Sequence, residues 1–269
     1  MFHINQLKEF SEKEFGEFCK YIYDKVGIKL TDRKRSLVHN RLRKRLVQLD
    51  LTNYGEYFNF VKTPKGKNEF VHMINAITTN VTTFFRDPKQ FQTLSQLVLP
   101  YYEKLNRTIR IWSAGCSTGE EPYTIAIEIM KYIKNFKFEI IATDLSTKVL
   151  DHAKAGLYKY EQVKTVSDKY LSQFFIKRDE LYEVHPDVRK FVKFKQLNLI
   201  DDLFPDHIDI IFCRNVVIYF DKETKDELYR KFYKSLNKDG FFFVGHAESL
   251  FSNNLFKFFK PSVYRIAEV

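Results

Sequence analysis

The stretch RIWSAGCSTGEEPY, residues 110–123, decides how the rest of the chain is read. A short apolar strand, Ile109 to Trp112, runs into small residues from Ser113 to Gly119. Glu120, Glu121 and Pro122 follow, and an apolar helix is predicted from Tyr123 to Ile133. Gly115 and Gly119 let the backbone approach a ligand closely, and the first amides of a helix have no partners of their own. The junction therefore offers a polar floor for a cofactor.

What the loop lacks narrows the ligand. A dinucleotide site wants Gly-x-Gly-x-x-Gly with a pyrophosphate on the helix start, and a P-loop wants a terminal Gly-Lys-Ser/Thr. Here two carboxylates, Glu120 and Glu121, stand where a phosphate would sit. They would repel it, but they suit a cation such as the ammonium and sulfonium of S-adenosylmethionine. The same residues are also compatible with a plain strand–turn–helix junction whose acids favour the helix dipole.

Downstream of Arg107 strands and helices alternate. Strands are predicted at Ile109 to Trp112, Glu139 to Thr143, Phe191 to Gln196, Ile208 to Cys213, Gly240 to Gly245 and Val263 to Ile266, with helices at Thr147 to Ala155 and Lys222 to Leu236. This rhythm predicts a mostly parallel, doubly wound sheet with ligands at the carboxyl ends of its strands. Candidate site residues stand at four such ends: Gly115 with Glu121, then Asp144, then Asn198, then Arg214 and Asn215 with Tyr219. Asp144 follows Gly119 by about 25 residues, where an acid can bind both hydroxyls of a ribose.

Upstream, Ser11 to about Ala76 has helical periodicity, with Ser11 and Glu14 as a capping box for a helix from Glu12 to Val26. Thr31 or Asp32 is predicted to cap a second helix to about Leu49, and Thr52 or Asn53 a third that stops near Thr63-Pro64-Lys65-Gly66. A fourth spans Lys67 to Ile77. On the second helix Val38, Leu42, Leu46 and Leu49 share one arc. Arg33, Lys34, Arg41, Lys44 and Arg45 share a neighbouring arc about 120° wide. Asp32 is the only carboxylate from Thr31 to Leu49, so this is a concentrated positive stripe. Between the two parts lies TTNVTTFFRDP (78–88), dense in hydrogen-bonding side chains beside Arg86 and read as a ligand-facing linker.

Hydrophobic residues make up 44% of the 269, with 27 Phe and 16 Tyr, enough for a sizeable core. Cys19, Cys116 and Cys213 form no Cys-x-x-Cys, which argues for a reducing compartment and against a disulfide framework or a structural zinc. Cys116 and Cys213 read as buried small hydrophobes, and His246 as structural. No basic-then-apolar leader opens the chain and no apolar run approaches the roughly 20 residues that span a bilayer, so a cytoplasmic protein without membrane insertion is expected. A net charge of +10 points to an acidic partner without choosing among nucleic acid, anionic membrane and protein.

Together the segments TTNVTTFFRD (78–87), WSAGCSTGEEPY (112–123), ATDLS (142–146), FCRNVVIYFD (212–221) and GHAESL (245–250) resemble those of the CheR-type chemoreceptor glutamate methyltransferases, in order and spacing. The helical part resembles theirs too, so the likeness covers nearly the whole chain. It implies a Rossmann-like methyltransferase domain with a small antiparallel β insertion, preceded by an all-α domain. The expected boundaries are 1–77 for receptor docking and 78–269 for cofactor binding, with a linker at 78–88 and a β subdomain at about 171–196.

The implied activity is transfer of a methyl group from S-adenosylmethionine to glutamate side chains of chemoreceptor cytoplasmic helices, leaving S-adenosylhomocysteine, with no metal. The implied cofactor residues are Asn80, Thr82, Arg86, Glu121, Asp144, Asn198, Leu199, Arg214 and Asn215, and Arg86 and Tyr219 would lie nearest the methyl. The basic arc becomes the docking surface for a glutamate-rich helix, and a monomer that binds no nucleic acid is expected.

One region departs from the better-known members, some of which tether a receptor's C-terminal pentapeptide through an insertion with a Gly-x-Gly turn. Here FFIKRDELYEV (174–184) is short and lacks glycine. It is expected to form a small antiparallel hairpin against the third sheet strand and not to need the pentapeptide. Two rivals are a nucleic-acid methyltransferase and a non-enzymatic adaptor on the same scaffold. The first lacks the Asp/Asn-Pro-Pro-aromatic loop, since the fourth strand ends in Cys213-Arg214-Asn215-Val216. The second sits poorly with an intact Arg86, Glu121, Asp144 and Tyr219.

Overall fold

The computed structural model describes residues 7–78, 82–105, 107–132, 137–250 and 254–267. The chain divides into two compact units, Met1–Val81 with Tyr219–Asp221, and Thr82–Ile218 with Lys222–Val269.

The first unit is helical: α1 (Glu12–Val26), α2 (Arg35–Gln48), α3 (Tyr54–Val61) and α4 (Lys67–Ile77). Ser11 and Glu14 form the predicted capping box, and Gly27, at φ 68°, ends α1 in the left-handed conformation that glycine adopts cheaply. α1 buries Phe15, Phe18, Ile22 and Val26, spaced at three and four residues, against Val38, Leu42 and Leu46 of α2 and the aromatics of α3. Asn53 caps α3 through its side chain. Thr31 makes no capping bond, and a 3-10 turn at Asp32–Lys34 starts the second helix instead.

The second unit carries β1 (Ile109–Ala114), β2 (Phe138–Asp144), β3 (Leu157–Lys159), β4 (Phe175–Arg178), β5 (Leu181–Val184), β6 (Val192–Gln196), β7 (Ile208–Cys213), β8 (Leu236–Val244), β9 (Phe256–Lys260) and β10 (Val263–Ile266). Its helices are α5 (Pro88–Thr93), α6 (Leu99–Glu103), α7 (Glu120–Tyr132), α8 (Thr147–Ala155), α9 (Tyr160–Val163), α10 (Asp168–Phe174), α11 (Pro186–Arg189) and α12 (Lys222–Ser235).

Seven strands form one sheet in the order β6-β2-β1-β7-β8-β10-β9, parallel from β6 to β8 and antiparallel over β10 and β9. β1 to β2 steps one way along this order and β7 to β8 the other, so right-handed crossovers send α7 and α12 to opposite faces. The predicted Rossmann-like sheet is therefore present, and its switch point lies between β1 and β7.

β9 was not legible in the sequence. β8 begins at Leu236 rather than Gly240, because Leu236 pairs with Ile208 before a break in register. The small antiparallel insertion is present, but its hairpin β4–β5 pairs with β3 and not with the third strand of the main sheet, β6. β3 has three residues and no alternation to announce it. Among the described residues no helix is long and apolar enough to cross a membrane.

Candidate functional site

The site is built where β1, β2 and β7 end. After Ala114 the chain turns through Gly115 at φ 81°, and its amide and that of Cys116 both donate to the Thr143 carbonyl, at 2.8 and 2.9 Å. A Cβ on Gly115 would stand 2.4 Å from Val216 Cγ2, so only glycine lets the loop close against the segment after β7. Gly119, at φ 95°, is packed as tightly, with 2.8 Å from an added Cβ to that of Ala153. Its other neighbour is the Tyr158 hydroxyl, which itself donates to the Thr118 carbonyl at 2.6 Å.

The two adjacent glutamates do different work. Glu120 opens α7, buried at 1% exposure. It accepts from Thr118 Oγ1 at 2.6 Å and Gln162 Nε2 at 3.2 Å, and burial raises its pKa. It faces inward, toward Thr118 and Gln162. Glu121 accepts from Ser113 Oγ at 2.7 Å and from Arg214 Nη1 at 3.1 Å. The helix starts at Glu120, three residues earlier than its apolar run suggested, because both acids belong to its first turn.

Arg214 is the hub. Its side chain is 3% exposed, lies over the Phe91 ring at 5.5 Å, and bonds through Nη2 to the Arg86 carbonyl at 2.8 Å and to Asp87 Oδ2 at 2.5 Å. A planar guanidinium with five fixed donors can join three acceptors at once, which an ammonium cannot do in this geometry. Its Nε is buried without a partner.

The Phe84–Asp87 segment is thus held from two sides. Phe84 is fully buried, edge-on to Tyr158 and Phe175 at ring distances of 4.9 and 5.2 Å. Burying a phenylalanine contributes about 1.5–3 kcal/mol, comparable to the cost of one of the two left-handed residues that follow. Phe85 stands at φ 55° and Asp87 at φ 60°. Arg86, between them, is half-buried.

Asp144 ends β2. Oδ1 accepts the Ser146 amide at 3.0 Å and Oδ2 the Ser117 amide at 2.9 Å; burial raises its pKa and those amides oppose the shift. The Leu145 amide acts on the same carboxylate, and of its roughly four acceptor sites capacity for a ligand hydroxyl remains. This acceptor fits a ribose hydroxyl beside the glycine loop.

Asn198 is a turn residue as well as a candidate: its amide donates to Asp202 Oδ2 at 2.7 Å and its Oδ1 accepts from Ile200 at 3.1 Å. Leu199 beside it is buried. Asn215, at φ 60°, donates its amide to Glu248 Oε2 at 3.2 Å, and Gly245 donates to the same oxygen at 2.6 Å. Thr82 is half-buried. Tyr219 belongs by its contacts to the helical unit. Asn80 lies outside the described residues.

Arg214, Glu121, Arg86 and Asp144 are therefore positioned by one connected piece of structure. Asp87, Ser113 and Glu248 belong to the same surroundings and were not singled out in sequence. Asp87 precedes the helix-opening Pro88, and Glu248 sits in GHAES, signals of local structure that do not reveal distant partners. His246 Nε2 is 3.2 Å from Asp87 Oδ1. Cys116 and Cys213 are buried, and burial raises both thiols well above their ordinary range. Among the described residues no group of three or more His, Cys, Asp or Glu could hold a metal ion.

The five basic candidates divide: Arg33 and Lys34 lie in the 3-10 turn before α2, and Arg41, Lys44 and Arg45 on α2 itself. Arg33, Lys34 and Lys44 are exposed. Arg41 Nη1 donates to the Ile77 carbonyl at 2.8 Å, and Arg45 is doubly bonded to buried Glu69, at 2.9 and 2.5 Å. Tyr57 also donates to Glu69, at 2.8 Å.

Comparison with known proteins shows the family. Residues 80–265 match the family described as CheR methyltransferase, SAM binding domain, and residues 13–78 match the CheR methyltransferase all-alpha domain. A chemotaxis protein methyltransferase of Borreliella burgdorferi is 39% identical over 98% of this chain and 96% of its own. One of Salmonella typhimurium is 36% identical over 94% and 89%, and chemotaxis protein methyltransferase 2 of Pseudomonas aeruginosa is 36% identical over 91% and 89%. The chain belongs to the CheR methyltransferase family and is an S-adenosylmethionine-dependent methyltransferase.

Proposed function

We propose that the protein methylates glutamate side-chain carboxylates on the cytoplasmic helices of transmembrane chemoreceptors, giving glutamate methyl esters and S-adenosylhomocysteine. The observation that carries this reading is the bridge from Arg214 to Glu121 and to the Arg86 carbonyl, which fixes Arg86 beside the strand ends. An arginine held there draws in an anionic acceptor.

The bound cofactor supplies an electrophilic methyl on its sulfonium. Asp144 accepts the ribose hydroxyls, and Glu121 with Arg214 forms the polar floor nearby. The acceptor needs no general base, because a glutamate with an ordinary pKa of about 4.3 is already ionised at neutral pH. The buried, neutral thiols of Cys116 and Cys213 are accordingly spectators. Arg86 orients the carboxylate and Tyr219 places a hydroxyl beside the methyl. Alignment of attacking oxygen, carbon and leaving sulfur is worth roughly 7–11 kcal/mol in favourable cases.

Receptor docking falls to the exposed cations Arg33, Lys34 and Lys44, with Arg41 and Arg45 holding the stripe in place. The hairpin turn at Asp179, φ 48°, closes without glycine, and in this reading no receptor pentapeptide is needed. Micromolar binding of such a peptide in calorimetry overturns that part.

The deciding measurement is transfer of radiolabelled methyl to a receptor cytoplasmic fragment, followed by mild alkali. Release of label as methanol supports a carboxyl ester. Alkali-stable label moves the acceptor to nitrogen, and no transfer despite cofactor binding favours the adaptor.

A further inference from the structure

Two parts of the site, the glycine loop and the segment from Phe84 to Asp87, are fastened by one short stretch of chain, residues 157–165. Tyr158 of β3 is fully buried; its hydroxyl donates to the Thr118 carbonyl at 2.6 Å, and its ring stands edge-on to that of Phe84 at 4.9 Å. From α9, Gln162 Nε2 donates to Glu120 Oε1 at 3.2 Å. Just past α9, Thr165 Oγ1 donates to the Phe84 carbonyl at 2.8 Å. Thr124 of α7 ties the same two parts once more, accepting the Phe85 amide at 3.1 Å and donating to the Glu120 carbonyl at 2.7 Å. All of these residues belong to the sheet unit.

The two hydroxyls of this stretch act on backbone. Tyr158 fixes the peptide between Thr118 and Gly119, and with it the φ of 95° through which the loop enters α7. A glycine left unheld there has several conformations open to it. On the other side of that peptide the Ser117 amide is held by Asp144 Oδ2 at 2.9 Å, so the loop is pinned between a cofactor carboxylate and Tyr158. Thr165 is exposed, and close packing does not require its bond to Phe84. Phenylalanine and valine would fill the space of these two side chains; what the hydroxyls add is the orientation of two carbonyls. Tyr158 also pairs with Tyr182 of β5, so the small sheet is part of the frame of the site.

We infer that residues 157–165 are a positioning clamp for methyl transfer: Tyr158 keeps the glycine loop in its cofactor-binding shape, and Thr165 keeps the turn that leads into Arg86. The second half rests on the reading of Arg86 as the group that orients the acceptor.

The test compares Tyr158→Phe, Thr165→Val and Arg86→Ala in the full chain. Affinity for S-adenosylhomocysteine is read by calorimetry, kcat and KM on a receptor cytoplasmic fragment at saturating S-adenosylmethionine, and stability by thermal melting. Tyr158→Phe is expected to weaken S-adenosylhomocysteine about tenfold at a temperature where the chain is fully folded, because only the fraction of loops in the held shape binds. Thr165→Val is expected to lower kcat about fivefold while cofactor affinity and melting temperature hold, since a small misplacement of a catalytic group can cost up to about 100-fold. Thr165→Ser, which keeps the hydroxyl, is expected to keep kcat.

Wild-type affinity in folded Tyr158→Phe overturns the inference, because the hydroxyl then serves stability alone. Full kcat in Thr165→Val beside a low kcat in Arg86→Ala overturns it while leaving Arg86 in its role. A fall that Thr165→Ser shares overturns it as well, since the hydroxyl is then not what matters. Full kcat in Arg86→Ala overturns the role of Arg86 and the hold on it together. If Tyr158→Phe fails to fold, Thr165→Val and Thr165→Ser, which alter one exposed side chain, decide alone.

Discussion

At the amino end of the main sheet the buried carboxylate of Asp209 accepts four hydrogen bonds: two from Arg107 at 2.8 and 2.6 Å, one from the Arg110 amide at 2.9 Å and one from Asn237 at 2.7 Å. At the carboxyl end the buried ion is Arg214, and its surroundings are less complete. Arg214 Nε, Ser117 Oγ and Glu248 Oε1 are buried without partners. The backbone there is strained at Phe85, Asp87, Ser117 and Asn215, whereas at the amino end it is His207 that takes a positive φ. An unmet buried polar atom costs about 1–3 kcal/mol, and a left-handed non-glycine residue a similar amount. One end of the sheet is satisfied for stability; the other retains polar capacity where a polar ligand is to be held.

Substitution at each end should separate these roles. The largest effect is expected from Asp209→Ala, which strands the Arg110 amide and the Asn237 side chain and leaves a void. A loss of about 3–5 kcal/mol follows, hence a melting temperature lower by roughly 10 °C, with cofactor affinity of the folded protein unchanged. Calorimetric binding weakened in step with stability would erase the distinction between the two ends.

The converse is Arg214→Lys. The ammonium keeps the charge but cannot reach Glu121, Asp87 and the Arg86 carbonyl together, so cofactor affinity should fall about tenfold to a hundredfold while stability drops by about 1–2 kcal/mol. Wild-type affinity in calorimetry would remove Arg214 from the site. Of similar size on stability is Gly115→Ala. Its cost of about 1–3 kcal/mol has a conformational part and a steric part against Val216, so adding Val216→Ala should recover some but not all of it in chemical denaturation. Complete recovery would mean that φ 81° is not the constraint.

What the sequence disclosed follows the range over which each interaction acts. Ile208–Cys213 was legible to the residue because six consecutive positions are buried, and Thr147–Ala155 because Ser146 caps it and Gly156 ends it. The site residues were legible as polar groups at strand ends. Their partnerships were not: Arg214 meets Glu121 across 93 positions and Asp87 across 127, distances no local pattern encodes. For the same reason Arg45 reads as part of a uniform basic stripe, although Glu69 binds it. β9, five residues of FKFFK, and the three-residue β3 are too short and too irregular in alternation to be called.

The smallest expected effect is also the most discriminating between the two glutamates of the loop. Glu120 is buried with a raised pKa, so the fold favours its neutral form. Below the ordinary carboxylate range it is protonated in folded and unfolded chains alike, and Glu120→Gln, which keeps shape and hydrogen-bonding length, should change little. As pH rises through the unfolded and then the folded pKa, the wild-type chain must ionise a buried group and loses stability that the amide retains. The melting temperature of Glu120→Gln relative to wild type should therefore climb between pH 4 and pH 8, without weakening cofactor binding, because Glu120 faces Thr118 and Gln162 inside the protein. Glu121→Gln, which halves the charge pairing of Arg214, should instead weaken cofactor binding. A Glu120→Gln chain that melts below wild type at pH 8, or that binds cofactor poorly, would put Glu120 on the ligand side of the loop and make the acidic pair one cationic subsite.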